Sequence, residues 1–522
     1  MLAALLGGCS GPTAAPPAGT VVFNLAADPT TLDPLFIHPD ASSVEQQVDR
    51  LLFEPFIDVD GKGRPIPELL AEIPTVANGG ISADGRTIRY HLRPNVRWSD
   101  GIPVTSADVL FTLRAILDPR NPVRSHEGYD LIDRAWAPDA HTVVFHLRHA
   151  WAPAVMTYFS YGFSPQFVVP GHALHVPAPL EESPFGSDPS VVDGPYRFVS
   201  WTRGVGIRLS ANPRYWRGEP PVRDLDIRII PDPSTNMLML QSGQLDWNLV
   251  APVQWALLRG KPGIDFVRVA TAVVAGIAIN LSHPPLDDVR VRRALAMAID
   301  RAGIARRITL GQYPVTNVLQ PQFSWAYDPS VREPAFDPRG AERLLAAAGW
   351  RPGPSGIREK NGKPLQLVYV AFPETASGVR IATEVEEELR RVGIGVTIKS
   401  ISNAQLFLPV TGTLASGDYD LAYVPWTMGA DPDDSSVLGC HGTSNYMRFC
   451  NAQVDALERA ALAAISQNAR KALYARIARI VARQVPILYL FNAEYIYAYR
   501  ARLHGFSPNA FLPTWNAYVW RL

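Results

Sequence analysis

The spacing of apolar residues changes period several times along the chain, and each change marks an element. Val21, Val22, Phe23 and Leu25 form a short apolar run that breaks at Asp28-Pro29, as a buried first strand would. Val44 to Phe53 carries apolar residues at helical spacing. Between Ile81 and Leu92 a turn at Asp84-Gly85 precedes alternating Ile88, Tyr90 and Leu92, a hairpin-like strand. Thr105 to Asp108 opens a helix that runs to Leu117 and stops before Pro119. A second strand pair spans Ala135 to Leu147 and turns at Pro138-Asp139, and Pro165 to Pro195 reads as a long loop. Strands resume at Tyr196–Trp201, Ile207–Ser210 and Leu225–Ile230, followed by a helix over Ser234–Ser242 that Gly243 ends.

After about residue 268 the texture alternates. Strands Val273–Asn280, Leu365–Tyr369, Val396–Ser400 and Leu421–Val424 are separated by helices at Val289–Arg301, Pro338–Ala348 and Val379–Val392, and a helix at Ala452–Gln467 follows. Such alternation predicts an α/β lobe. The last runs, Ile487–Phe491 and Tyr495–Tyr499, are β-like and resemble the first half again. A terminal segment that returns to the first lobe implies two crossings between lobes, which is how a hinged clamp is built. The expected divisions are 1–20 as a tether, 21–267 as lobe I, 268–480 as lobe II, and 481–522 back in lobe I, with crossings near 268 and 480.

Composition narrows the function. The 522 residues include 49 basic and 49 acidic side chains, with 47% hydrophobic and 19% charged residues. This is an ordinary globular balance, without the basic excess of a nucleic-acid binder. Beyond the start, no stretch approaches the ~18–20 consecutive apolar residues of a membrane span. Leu5-Leu6-Gly7-Gly8-Cys9, followed by small, Pro-rich, uncharged residues to Thr20, resembles a bacterial lipobox and tether, so Cys9 is the expected site of lipidation. With Cys9 acylated, Cys440 and Cys450 remain as an even pair in an oxidising compartment, where a disulfide is the natural outcome and two buried thiols the alternative. No phosphate-binding glycine loop, dinucleotide fingerprint, nucleophile elbow or helical His-Glu-His zinc motif occurs. His141, His146 and His149 read as surface or satisfied core histidines, while His172 and His175 lie in a loop and could in principle hold a metal, but no carboxylate or thiol cluster accompanies them. Neither a cofactor, a resident metal nor an enzymatic reaction is expected.

Several blocks, taken in order, resemble the solute-binding proteins of dipeptide, oligopeptide and nickel importers. Asp84-Gly85-Arg86-Thr87-Ile88-Arg89-Tyr90-His91-Leu92 leads into Trp98-Ser99-Asp100-Gly101 and Thr105-Ser106-Ala107-Asp108. Asp193-Gly194-Pro195-Tyr196, Asn212-Pro213-Arg214-Tyr215-Trp216 and Asp287-Asp288-Val289-Arg290-Val291-Arg292-Arg293-Ala294 follow, and then Gly349-Trp350 and Val485-Pro486-Ile487. The resemblance runs from about residue 20 onward. It implies the class II, two-lobed periplasmic-binding-protein fold, α/β throughout, with an extra subdomain inserted in lobe I at about 50–190. The implied protein is a monomeric, lipid-anchored receptor in the periplasm or on the outer face of the cytoplasmic membrane. It would capture peptides between its lobes and deliver them to an ABC permease with cytoplasmic ATPase subunits. A nickel chelate, haem, an oligosaccharide or an opine is the alternative ligand within the same fold. A secreted hydrolase and a receptor without a permease are the readings outside it.

The resemblance also points to site residues. Relatives that bind peptides hold the α-amine with an acid just after a Trp in a segment like Tyr419–Trp426. The family position three beyond Trp426 is Gly429 here, so Asp431 is expected to supply the charge, with Asp433 and Asp434 facing solvent. Arg380 stands where some dipeptide receptors reach the ligand carboxylate, and a guanidinium fork suits that group. Trp426, Trp247 and Tyr446 are candidate aromatic walls and Asn248 a polar contact between lobes. Ser444-Asn445-Tyr446 before Phe449-Cys450 adds to the Cys440–Cys450 expectation.

Overall fold

The computed structural model describes residues 17–36, 42–160, 166–174, 179–373, 376–408 and 410–522. Cys9 and His175 lie outside them. Ten strands, β1 (Thr20–Leu25), β2 (Tyr196–Thr202), β3 (Gly206–Ala211), β4 (Asp224–Ile229), β5 (Trp247–Val250), β6 (Ile264–Ile279), β7 (Gln366–Ala371), β8 (Gly395–Ser400), β9 (Leu421–Thr427) and β10 (Ile487–Arg500), share one mixed sheet. Its order is β8-β7-β9-β6-β10-β5-β1-β4-β3-β2. The first three strands in that order belong to the second half of the chain and the last five to the first half. β6 and β10 run through the middle of both.

Two large apolar cores hang on this sheet, with a smaller cluster around Val22, Val250 and Ile496 on it as well. One gathers Phe23, Trp98, Phe145, Tyr196, Trp247 and Trp520, so the segment expected as an extra subdomain packs into the same core as β1 and β5. The C-terminal residues rejoin it: Trp247 stacks between Phe23 (4.6 Å between ring centroids) and Phe506 (5.3 Å), with Trp520 edge-on. The other core gathers Ile277, Leu295, Tyr369, Ile381, Trp426 and Leu488. The division falls inside single strands: on β6 between Val269 and Val274, on β10 between Phe491 and Tyr497.

β6 and β10 were expected as shorter strands, with Asn492–Glu494 as a break. Their pairing instead continues from Ala270↔Glu494 to Val274↔Asn492, leaving Thr271, Ala272 and Val273 opposite Ala493 alone. This is an enlarged bulge, which bends a strand and sharpens its twist. Side chains replace the missing ladder bonds. The Asn492 amide nitrogen donates to the carbonyls of Thr271 (2.9 Å) and Val273 (2.8 Å), and the Thr271 hydroxyl donates to the Ala493 carbonyl (2.9 Å). The extra residues also bind both halves: Ala272 N donates to Ala510 O at 3.3 Å, and Met428 N donates to Ala272 O at 2.9 Å. The crossings therefore lie at 270–273 and 492–495. The second is some twelve residues beyond the expected 480, because the helix Gln467–Gln484 intervenes.

That helix is the main element missed. Ser466, whose hydroxyl accepts from Ala469 N, caps a new helix where one continuing from Ala452 to Gln467 was expected. Asp300 likewise accepts from Gly303 N and starts a second helix, Arg301–Thr309, just after the first ends at Ala298. The Cys440–Cys450 disulfide is present. No helix among the described residues is long and apolar enough to cross a membrane.

Candidate functional site

A cavity of about 1010 Å³ opens between the two halves at the crossing. Asn24 and Leu25 at the C-terminal end of β1, and Trp247 and Asn248 of β5, form its first wall. Thr271–Val273 of the bulge form its floor, together with Tyr495 and Tyr497 of β10. Thr427 and Met428, at the end of β9, and Ser444 close it from the second half. The carboxyl ends of strands in an open α/β sheet are where ligands collect, since connections diverge there and leave a crevice. Tyr495 and Tyr497 alternate along β10 and meet edge to face at 6.2 Å between centroids. Burial lifts the Tyr495 phenol above its usual range, so it stays a neutral donor.

Two buried amides stand in the cavity wall. Asn248 and Asn236 line it while only 3% and 4% exposed. Asn236 donates to Ile230 O at 3.0 Å, but its Oδ1 has no partner, and neither does Asn248 Nδ2. Buried amides are normally satisfied, so two incomplete ones on one wall mark a surface suited to hydrogen-bonding a ligand.

From the loop preceding Tyr129, Arg124, Ser125 and Glu127 reach the same cavity. The loop is held rigidly. Glu127 N donates to Ser125 Oγ (3.1 Å), Gln166 donates to Ser125 O (2.8 Å), and the Tyr158 hydroxyl donates to Gly128 O (2.7 Å). Gly128 has φ 77°, and a Cβ there would sit 2.1 Å from the Trp151 ring, so no other residue fits.

Of the six residues expected at the site, Trp247 and Asn248 line the cavity. The other four do not. Trp426 belongs to the second core: a Cβ at Gly276 would lie 3.4 Å from its ring, and its neighbours Thr427 and Met428 face the cavity instead. Tyr446 packs on the same core beside Phe407 (6.3 Å), and its carbonyl accepts from the Tyr419 hydroxyl. Arg380 is exposed on the helix Ala376–Arg391.

Asp431 needs the largest correction. It is 8% exposed, and both its oxygens accept from the guanidinium of Arg470, at 2.5 and 2.6 Å. Arg470 lies on the missed helix, where its Nη2 also donates to the Tyr474 hydroxyl (3.1 Å) and its Nε to Ala461 O (3.1 Å). The carboxylate expected to await a ligand amine is thus already neutralised from within. Asp434 does not face solvent either, and Asp433 does so only in part. Burial raises both carboxyls, Asp434 to about 6, and Gln320 donates to Asp434 at 3.0 Å. Cavity residues that the sequence did not announce are Glu127, in a featureless loop, and Tyr495 and Tyr497, whose signal was the alternating tyrosines of Tyr495–Tyr499.

A second, more apolar cavity of about 530 Å³ is lined by Asp431 and Arg470 themselves, between Trp151 and Met156 of the first half and Trp325 and Ile465 of the second. Beside it the halves touch directly, with Ala152 N donating to Leu462 O at 2.7 Å.

Comparison with known proteins agrees with this architecture. Di/tripeptide-binding protein 2 of Pseudomonas aeruginosa is 28% identical over 83% of this chain and 84% of that one. The oligopeptide-binding protein AppA of Bacillus subtilis, solved with a nonapeptide, superposes with a TM-score of 0.79 at 22% identity, covering 96% of this chain and 98% of that one. NikZ of Campylobacter jejuni, solved with Ni(L-His), superposes with a TM-score of 0.80 at 22% identity over 97% of this chain and 100% of that one. The model describing the middle of the bacterial extracellular solute-binding proteins, family 5, matches residues 65–447. Two large cores on one sheet, strands shared at a bulged crossing and a cavity over that crossing are thus those of a receptor, and the chain belongs to the family 5 solute-binding proteins.

Proposed function

We propose that the protein is the substrate-binding lipoprotein of an ABC importer. It captures di- and oligopeptides between its lobes and presents them to a membrane permease driven by cytoplasmic ATPases. The observation that carries this is the cavity of about 1010 Å³, walled by both lobes and floored by the residues that join them. Its size is at the top of the range of about 300–1,000 Å³ for small-molecule sites, which favours a ligand larger than one amino acid. Incompletely bonded amides at Asn236 and Asn248 suit a peptide main chain, which offers alternating donors and acceptors. Trp247 and Asn248 contribute wall, while Thr427, Met428 and Ser444 contribute in place of Trp426 and Tyr446. A ligand that touches Thr271–Val273 and both lobes binds the closed form better than the open one, and so shifts that equilibrium. Acylation of Cys9 would keep the receptor at the outer face of the membrane, next to its permease.

Mass spectrometry of small molecules released from the purified protein tests the reading. Peptides of several residues are expected. Release of a nickel–histidine chelate or a saccharide, with no peptide, would replace the ligand class and leave the receptor.

A further inference from the structure

The lobes meet at two points along the lining of the second cavity. Ala152 N donates to Leu462 O at 2.7 Å, and the turn at Gly85 lies against Ile465. Gly85 has φ 70°, and a Cβ there would sit 3.0 Å from the Ile465 side chain, so this approach needs glycine. The walls are mostly apolar, from Ile88, Trp151 and Met156 in the first half to Trp325 and Ile465 in the second. Asp431 and Arg470, already paired with each other, are the charged residues of the lining. The buried Arg470 guanidinium has five N–H groups to satisfy. Nε donates to Ala461 O, Nη2 to Asp431 and the Tyr474 hydroxyl, and Nη1 to Asp431 through one hydrogen. The second Nη1 hydrogen has no partner among the described residues.

We infer that this cavity is a second binding site, for a neutral, mainly apolar small molecule that carries one hydrogen-bond acceptor, such as an aryl ketone. Each part of that description has its own cause. The apolar walls reward apolar surface withdrawn from water. An ion would lose its hydration among charges that already cancel, and would gain no countercharge. An acceptor oxygen satisfies the spare Nη1 hydrogen, as buried donors normally are satisfied. The volume of about 530 Å³ falls within the range of about 300–1,000 Å³ for small-molecule sites. A molecule held there touches both lobes, so it favours the closed form and assists retention of whatever fills the larger cavity. The inference goes beyond the importer reading and does not depend on which ligand the larger cavity takes.

Benzophenone is the probe: it is neutral, has one carbonyl acceptor, and inserts into neighbouring C–H bonds under ultraviolet light. Irradiated with the full-length protein, it is expected to label Met156 or Ile465 saturably, as read by peptide mass mapping. 4-Benzoylbenzoate, the same body with a carboxylate, should label them at least ~10-fold less, because its charge must leave water. In the dark, benzophenone should slow amide exchange at both 150–156 and 462–470. Diphenylmethane, which lacks the acceptor, should need about tenfold more to do so, the scale of one hydrogen bond. Val76→Trp, at an exposed position of the lining outside both cores, and Ala463→Trp should each abolish the labelling. Label that scatters, maps to the larger cavity or survives both variants, or exchange slowed on one wall alone, overturns the site. Equal labelling by 4-benzoylbenzoate, or equal potency of diphenylmethane, overturns the ligand chemistry assigned to it.

Discussion

Asp431 brings a charge to the lobe interface, and its neighbours decide what it can do. Asp431 is buried and paired in a fork with Arg470, which also bonds Tyr474 and Ala461 O. Removing one partner of a buried pair leaves the other charge uncompensated at a cost of about 3–5 kcal/mol, whereas removing both can be nearly neutral. Asp431→Leu is therefore expected to lower the unfolding free energy by about that amount in urea titration, and Asp431→Leu with Arg470→Leu to recover most of it. A single variant as stable as wild type would mean that the pair is not structural. The sequence singled out Asp431 because it follows a Trp in a family-like segment, but its partner is 39 residues further on, in a helix read only as far as its first residue. A charge cannot be assigned to a ligand from sequence until every internal countercharge is known. Trp247 and Asn248, named from the sequence, both line the cavity, although the Trp247 ring is packed between Phe23 and Phe506.

At the scale of elements, the crossing shows what periodicity can and cannot report. The apolar runs on each side of Asn492 were visible, and so was the change of texture near 268. The polar residues between them looked like an end of strand, because alternation cannot distinguish a chain that stops from one whose ladder is completed by an amide. Asn492 is fully buried, with Nδ2 on two β6 carbonyls and Oδ1 accepting from Gln322 N at 2.9 Å. Asn492→Leu keeps the branched shape, enlarges the side chain and strands three backbone groups, each costing about 1–3 kcal/mol when buried unpaired. A loss of ~3 kcal/mol or more is expected by chemical denaturation, with faster amide exchange concentrated at 271–273 and 492–495. A loss below ~1 kcal/mol, or exchange that rises evenly over the molecule, would mean that the bulge is held by its backbone alone. The end of β9 was also read short, at Val424 in place of Thr427, and so the residues Thr427 and Met428 that face the cavity went unnamed.

The whole molecule was the most legible scale, since the quoted blocks are scaffold: turns such as Asp100-Gly101, and the capping box of Thr105 and Asp108. Scaffold blocks carry fold and say little of ligand. They also include an acid whose burial sets a property of the entire fold. Asp193, 1% exposed, accepts from Glu54 N at 3.1 Å through one oxygen and has no partner on the other. Burial raises its carboxyl from 3.8 to about 8. Asp33, equally buried with one unpartnered oxygen, is raised by burial to about 7. Both are protonated in the folded protein across a range where the unfolded chain has released its protons. The folded state binds more protons there, so stability is greatest at the acidic end and is lost as pH rises through the folded values. Guanidinium unfolding should therefore show a decline on the order of 2 kcal/mol or more from about pH 5 to about pH 8, opposite to the trend of an ion-paired carboxylate. Asp193→Asn keeps the acceptor for Glu54 N and has no proton to lose, so it should flatten the slope and exceed wild type at the alkaline end. Stability that holds level or rises over this interval in wild type, with the same profile in the variant, would mean that these carboxyls ionise within the fold.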